Sequence, residues 1–257
     1  MVRRALRLLI VAGILAGPSA ARAVDPFEIQ VYDGSINAPG VAGIELHANT
    51  VVSGRRTAAP PELPPHHQSH FTFEPALGLT PWWEVGAYLQ TSLQGDGDYR
   101  FAGVKLRSKF MWPSPPSDRL RVGVNVEISR LPEAYDASRW GAEMRPIIGW
   151  TSARGKIALA FNPILDVSLG GPDRTPAFEP ALSAAYVIRD LLSVGIEYYA
   201  DLGPIDGWLP IEEQQHYLFE VVNVLAWKGV EINLGVGEGL TAASNDLVAK
   251  TILGFSR

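Results

Sequence analysis

The stretch Leu120-Arg121-Val122-Gly123-Val124-Asn125-Val126-Glu127-Ile128-Ser129 alternates without a break. Successive side chains of a β-strand point to opposite faces. Leu120, Val122, Val124, Val126 and Ile128 therefore share one wholly apolar face, and Arg121, Asn125 and Glu127 share a polar one. The run before it repeats the pattern with more charge: Ala102, Val104, Leu106, Phe110 and Trp112 fall on one side, and Lys105, Arg107 and Lys109 on the other. Three cations on one strand face keep that face out of hydrocarbon, while the opposite face suits lipid. Similar alternation recurs over 83–93, 156–165, 192–201 and 230–237. Segments on the order of ten residues that alternate in this way, separated by turn residues, are the pattern of a transmembrane β-barrel. A soluble sandwich alternates as well, so loop lengths and aromatic placement have to decide.

Strands are expected near 42–53, 69–79, 82–93, 98–112, 119–130, 139–150, 155–167, 177–187, 191–201, 215–227, 229–238 and 245–256. The connections then alternate long and short, from 54–68 and Thr80-Pro81 to Lys228 alone and 239–244, with one irregular region around Gln94 and Pro113. Outer-membrane barrels join strands in this way, by short turns at the periplasmic end and longer loops outside. An even strand count brings both chain ends to the periplasmic side. In this register Trp82, Trp83, Trp112, Trp150 and Trp227 collect at the periplasmic strand ends with Tyr186, while Trp140 and Trp208 lie at the other end. Such a girdle is what the membrane interface selects. The fold class expected is all-β: a closed antiparallel transmembrane β-barrel of about twelve strands.

Pro75, Pro146, Pro163 and Pro180 fall inside these strands, where each removes a ladder donor. All four lie on the outward face by parity, and local bulges are expected to accommodate them. Phe73-Glu74-Pro75-Ala76-Leu77 returns as Phe178-Glu179-Pro180-Ala181-Leu182, each copy followed by a turn and a Val-Gly strand. The copies would stand opposite one another in a ring of twelve.

Residues 1–23 read as a secretory signal peptide: arginines at 3, 4 and 7, an apolar run over 8–16, and Ala21-Arg22-Ala23 as the cleavage site. Its loss removes four arginines and no acid, taking the net charge from −5 to −9 and excluding nucleic acid as an expected partner. The absence of cysteine excludes disulfides, thiol chemistry and a lipid-modified N-terminal cysteine. Residues 24–41 form an N-terminal segment in which 27–33 alternates; it is expected to tuck into or across the periplasmic mouth, with a thirteenth strand as the rival. Residues 42–257 form the barrel.

The signal peptide, the Phe-Glu-Pro-x-Leu hairpins and a closing strand with Leu247, Ala249, Thr251, Leu253 and Phe255 resemble bacterial outer-membrane β-barrel proteins, loosely the uncharacterised porin-like transporters, over most of 42–257. The resemblance implies an outer-membrane location, lipid as a partner, and the barrel-assembly machinery as a partner during insertion. In that class the machinery reads a terminal aromatic residue, whereas here Phe255 is followed by Ser256 and Arg257.

Inward parity names the candidate pore-lining residues: Glu74, Glu84, Lys105, Arg107, Lys109, Arg121, Glu127, Glu143, Arg145, Glu179, Glu197 and Glu231, with Glu45, Asp166, Asp201 and Lys250. Cations gather on the fourth to sixth strands and acids elsewhere. Two outcomes follow from this. An open lumen would carry a transverse field across a constriction, suited to small polar or charged solutes. Alternatively, Lys105, Arg107 and Lys109 pair with neighbours such as Glu84 and Glu127 and fill the barrel, giving a plugged structural or adhesion protein. An outer-membrane lipid hydrolase would need a Ser and His at the external rim. Ser69, His70 and His216 sit there without a recognisable spacing, and no catalytic role is expected. His66, His67 and His70 read more plainly as loop residues than as a metal site. Asp96 and Asp98 offer too few ligands for calcium. Gly235-x-Gly237-x-Gly239 precedes no helix, so a phosphate loop is discounted. No cofactor and no metal are expected.

Overall fold

The computed structural model describes residues 25–257 apart from 59, 116–118, 137, 171–173, 190 and 226, so the signal-peptide reading lies outside the described residues. Twelve strands follow one another: β1 (Ala42–Ser53), β2 (Ser69–Thr80), β3 (Trp83–Leu93), β4 (Tyr99–Met111), β5 (Leu120–Arg130), β6 (Trp140–Thr151), β7 (Ile157–Ser168), β8 (Ala177–Ile188), β9 (Leu192–Asp201), β10 (Gln215–Val224), β11 (Val230–Gly239) and β12 (Leu247–Ser256). Each pairs antiparallel with its sequence neighbours. β1 also pairs with β12, from Gly43 opposite Ser256 to Ser53 opposite Leu247, so the sheet closes on itself. A closed sheet has no unpaired edge. The two Phe-Glu-Pro repeats fall on β2 and β8, opposite each other in the ring.

The register expected for β5 holds. Leu120, Val122, Val126 and Ile128 are exposed on the outer wall, while Asn125 and Glu127 are buried inside. The outer surface carries exposed Leu, Ile, Val and Phe on every strand, with Trp82, Trp112, Trp150, Trp227 and Tyr186 at the end where β1 begins and β12 finishes. Soluble monomers rarely expose contiguous apolar patches above a few hundred Å². A belt that goes all the way round is a surface for hydrocarbon.

Three readings need correction. Ala102 was expected on the outer face but is fully buried inside. The β3–β4 ladder skips it, running from Gln90 opposite Gly103 to Thr91 opposite Phe101, and Gly103 takes φ +131°. This bulge returns Phe101 and Val104 to the outer face together. The prolines, in contrast, cause no bulges. The β6–β7 ladder lacks pairs from Arg145 to Ile147 against Asn162 to Ile164, yet it resumes unshifted, and Pro163 stands opposite Pro180 on β8. The missing donors are spent in a gap rather than in a change of register. Finally, β10 stops at Val224 and β11 begins at Val230, so the connection is longer than Lys228 alone.

Candidate functional site

The inner wall has two halves of different chemistry. β7 to β10 and β12, with Val51 of β1, contribute Ile164, Ala181, Tyr199, Tyr217, Phe219, Val221 and Val248 to one apolar cluster. β1 to β6 contribute the buried imidazole of His47 and the buried charged residues Glu74, Glu84, Lys105, Arg107, Lys109, Glu127, Glu143 and Arg145. Residues 25–41 lie between these halves. They run inside the barrel, not across one mouth, and supply no thirteenth strand. Phe27 packs edge-on against Tyr135 of a loop at the far end, and Asn37 N–H donates to Glu84 Oε2 near the end where β1 begins, so the described chain starts at the far end and not, as the even strand count led one to expect, on the side of the C-terminus. Ten extended residues span up to roughly 33–36 Å, enough for the height of such a wall.

The alternation of 27–33 matches the two-sided lumen. Ile29, with Val31 against it, joins the apolar cluster. Glu28, Gln30 and Tyr32 turn to the charged half: Arg145 Nη1 reaches Glu28 Oε1 at 3.4 Å, and Gln30 Nε2 donates to Glu45 Oε2 at 3.1 Å. The Tyr32 hydroxyl donates to Glu28 Oε1 at 2.7 Å and lies 3.0 Å from the Tyr88 hydroxyl, which in turn donates to Glu127 Oε1 at 3.1 Å. Lys109 Nζ and the Arg145 guanidinium lie 4.2 and 4.6 Å from the Tyr32 ring centroid. Such cation–π contacts strengthen where water is excluded. Lys250 Nζ donates to the Ile29 carbonyl at 3.1 Å and also binds Glu197. Side chains hold the segment as far as residue 39; only where it runs into β1 does its backbone bond the wall directly, Gly40 N–H donating to the Gly78 carbonyl at 2.8 Å and Gly78 N–H to the Val41 carbonyl at 3.1 Å.

The candidate pore-lining residues are brought together as ion pairs, not as two walls separated by open space. Arg107 lies 2.5 Å from Glu74 Oε1 through Nε and 2.7 Å from Glu84 Oε1 through Nη1. Lys105 Nζ lies 2.5 Å from Asp25 and 3.2 Å from Glu127. Lys109 lies 3.5 Å from Glu84, and Arg145 Nε 2.8 Å from Glu143. Glu84 and Glu127 are therefore the partners that the sequence proposed for the β4 cations. Glu74, expected on the facing wall, is a third. Glu179 is half-buried, while Arg121 and Glu231 open to solvent at the mouth where β1 begins and β12 finishes. Parity could not name Asp25 and Glu28, because they belong to no strand.

The segment divides the remaining space. A cavity of about 110 Å³ lies at the far end, lined by Phe27, Ile29, Tyr135, Tyr217 and Phe219. A vestibule of about 660 Å³ opens at the other end, lined by Asp33, Glu45, Glu74, Glu84, Lys109 and Glu231 among others.

The minor sequence candidates separate. Ser69 bonds the Thr50 hydroxyl, whereas His70, on the opposite strand face, packs edge-on against Phe27. His216 is held between Tyr198 and Gln214. His66 stacks on His67 and accepts Gly54 N–H; desolvation, then His67 and Arg56, keep its imidazole below the usual value.

No family model matches the chain, and no curated protein matches its sequence. Solved structures do match in fold. An outer-membrane channel from Pseudomonas putida F1 superposes with a TM-score of 0.58 at 10% identity, covering 88% of this chain and 98% of that one. The KdgM porin (TM-score 0.54, 6% identity, 83% and 98% covered) and the NanC porin (0.54, 8%, 83% and 97%) are similar. The chain is thus, in fold, a closed twelve-stranded barrel of the kind seen in bacterial outer-membrane channels and porins.

Proposed function

We propose that the protein is a porin-like channel of the bacterial outer membrane, that its solute path is the barrel lumen, and that residues 25–41 close that path in the state described. The observation that carries this reading is the way the segment is held. Residues 25–39 fill the lumen but join no strand, and the segment's backbone bonds the wall directly only at Gly40 and Val41, where it enters β1, so the part inside the lumen can leave without breaking the wall. A plug meant only to stiffen the barrel would gain more from ladder bonds. The apolar outer belt and the fold shared with outer-membrane channels support the location and the class. The path has an apolar and a charged side, which suits small polar or charged solutes.

Planar-bilayer recording tests it. The mature chain should show low conductance, and a variant lacking residues 25–36 that keeps heat-modifiable migration should show sustained open steps. A folded deletion variant that stays closed would overturn the channel reading and leave a second one, a plugged structural barrel. The buried pairs of Arg107 favour that second reading, because they fill the wall whether or not the segment is present.

A further inference from the structure

We propose that Glu45, His47 and Glu74 form a binding site for one divalent transition cation, of which zinc is the probe of choice, with Glu231 closing it from the vestibule. Among the described residues this is the one cluster in which an imidazole nitrogen and two carboxylate oxygens converge, all within 4.8 Å of one another. The strand register builds it. Glu45 of β1 stands opposite Glu74 of β2 on one side and Gly254 of β12 on the other, and Gly254 stands opposite Glu231 of β11. Three inward carboxylates thus share one level across four neighbouring strands. A Cβ at Gly254 would lie 3.0 Å from the Glu231 Cβ and 3.5 Å from the Glu45 Cγ, so the glycine lets these two acids approach.

His47 sits one step deeper and is fully buried, with Nε2 3.3 Å from Glu74 Oε2 and 3.5 Å from Glu45 Oε2. Its Nδ1 has no partner, so the ring's polar contacts all run through the edge that faces the two acids. Two ligand atoms on a tetrahedral zinc with bonds of 2.0–2.1 Å lie roughly 3.3–3.4 Å apart, close to the two distances from His47 Nε2, while the two carboxylates lie within 4.8 Å of each other and close in on an ion. Arg107 occupies Glu74 Oε1 and leaves Oε2 turned to His47.

Charge balance points the same way. Glu45, Glu74, Glu84 and Glu231 line this part of the vestibule; the cations that meet them are Lys109, on Glu84, and Arg107 behind the lining, shared between Glu74 and Glu84. With a neutral imidazole the group carries two excess negative charges, the charge of one divalent ion. An imidazole ligand favours zinc, cobalt or nickel over calcium or magnesium, which take oxygen ligands. Binding puts the metal on His47 Nε2 and leaves the neutral ring's single proton on Nδ1, the nitrogen that has no partner in the protein. Glu45 and Glu231 face the open vestibule, which provides the entry path. The site requires the barrel but not conduction through it.

The test is calorimetric titration of zinc into the purified mature protein in detergent, beside cobalt as a spectroscopic probe of tetrahedral coordination. The expected result is one equivalent of zinc per chain. Affinity should fall about 10–100-fold or more in H47Q and in E45Q, and remain unchanged in the loop double variant H66Q/H67Q. If H47Q loses heat-modifiable migration, E45Q and E231Q decide the matter. No saturable binding, binding that survives E45Q, or binding lost in H66Q/H67Q would each overturn the proposal.

Discussion

Asn162 holds the backbone of Tyr32 at both ends of its side-chain amide: Oδ1 accepts Tyr32 N–H at 2.7 Å, and Nδ2 donates to the Tyr32 carbonyl at 3.0 Å. Asn162 stands beside Pro163, in the gap where β6 and β7 share no ladder pairs. An inward amide thus fixes the plug at the point where the wall itself is least bonded.

Replacing Asn162 with Ala should therefore release the middle of the segment. Two buried backbone groups lose their partners, at about 1–3 kcal/mol for each group left unsatisfied. In bilayers the variant should open more often than the parent, and protease should cut near Tyr32 in folded protein. A variant as closed and as resistant as the parent would show that the ionic contacts alone hold the segment.

Gly103 tests the bulge that carries Ala102 inside. Its φ of +131° lies in a region that side chains rarely adopt, and an added Cβ would meet Leu131 Cδ2 at 2.5 Å and the Arg130 carbonyl at 2.6 Å. Gly103→Ala should cost about 1–3 kcal/mol through backbone strain, read as an earlier loss of heat-modifiable migration. Gly97, whose added Cβ would meet no atom within 4 Å, serves as the comparison. It also has positive φ, at +91°, so its alanine variant reports strain without the clash.

The barrel was legible in the sequence because a one-residue slip exchanges every inward and outward side chain. Leu120 to Ser129 allows only one register. Ala102 was missed because a bulge adds a residue without any change of composition. The end of β10 was missed because Leu225 and Trp227 continue its apolar character past the turn. The alternation of 27–33 was visible, but its meaning depended on a lumen with one apolar and one charged half, assembled from strands far away in sequence. Pairing was half legible. Parity placed Glu74 and Arg107 inside, while the stagger of neighbouring strands, which sets their relative height, decided that they touch.

The outer belt predicts a depth-dependent penalty. Leu106 lies at the middle of β4 and is 66% exposed on the apolar face. Leu106→Arg should cost about 2–4 kcal/mol in a bilayer. The same change at Tyr99, near the strand end, should cost less. Equal effects at both positions in lipid vesicles would mean that the belt does not face hydrocarbon.

Lys105 and Arg107 are neighbours on one face of β4, yet they hold different things, and their variants should diverge. Arg107 ties the wall together. Its partners Glu74 and Glu84 have side chains 2% and 3% exposed, so Arg107→Gln leaves two buried carboxylates short of a cation, Glu74 with the His47 imidazole at 3.3 Å and Glu84 with Lys109 at 3.5 Å. Breaking a buried pair from one side typically costs about 3–5 kcal/mol, and the thermal midpoint should fall without added conductance. Replacing Glu74 and Glu84 with Gln in the same chain should recover part of that loss, because the cost lies in the stranded charges. Lys105 instead joins the wall to the segment, through Asp25 at 2.5 Å and Glu127 at 3.2 Å. Asp25 is 20% exposed and can be rehydrated, so Lys105→Gln should destabilise less and raise open probability more. Conductance and thermal midpoint measured on both single variants separate the two roles. If both lose stability equally and neither opens, then Lys105, like Arg107, serves the wall and not the plug.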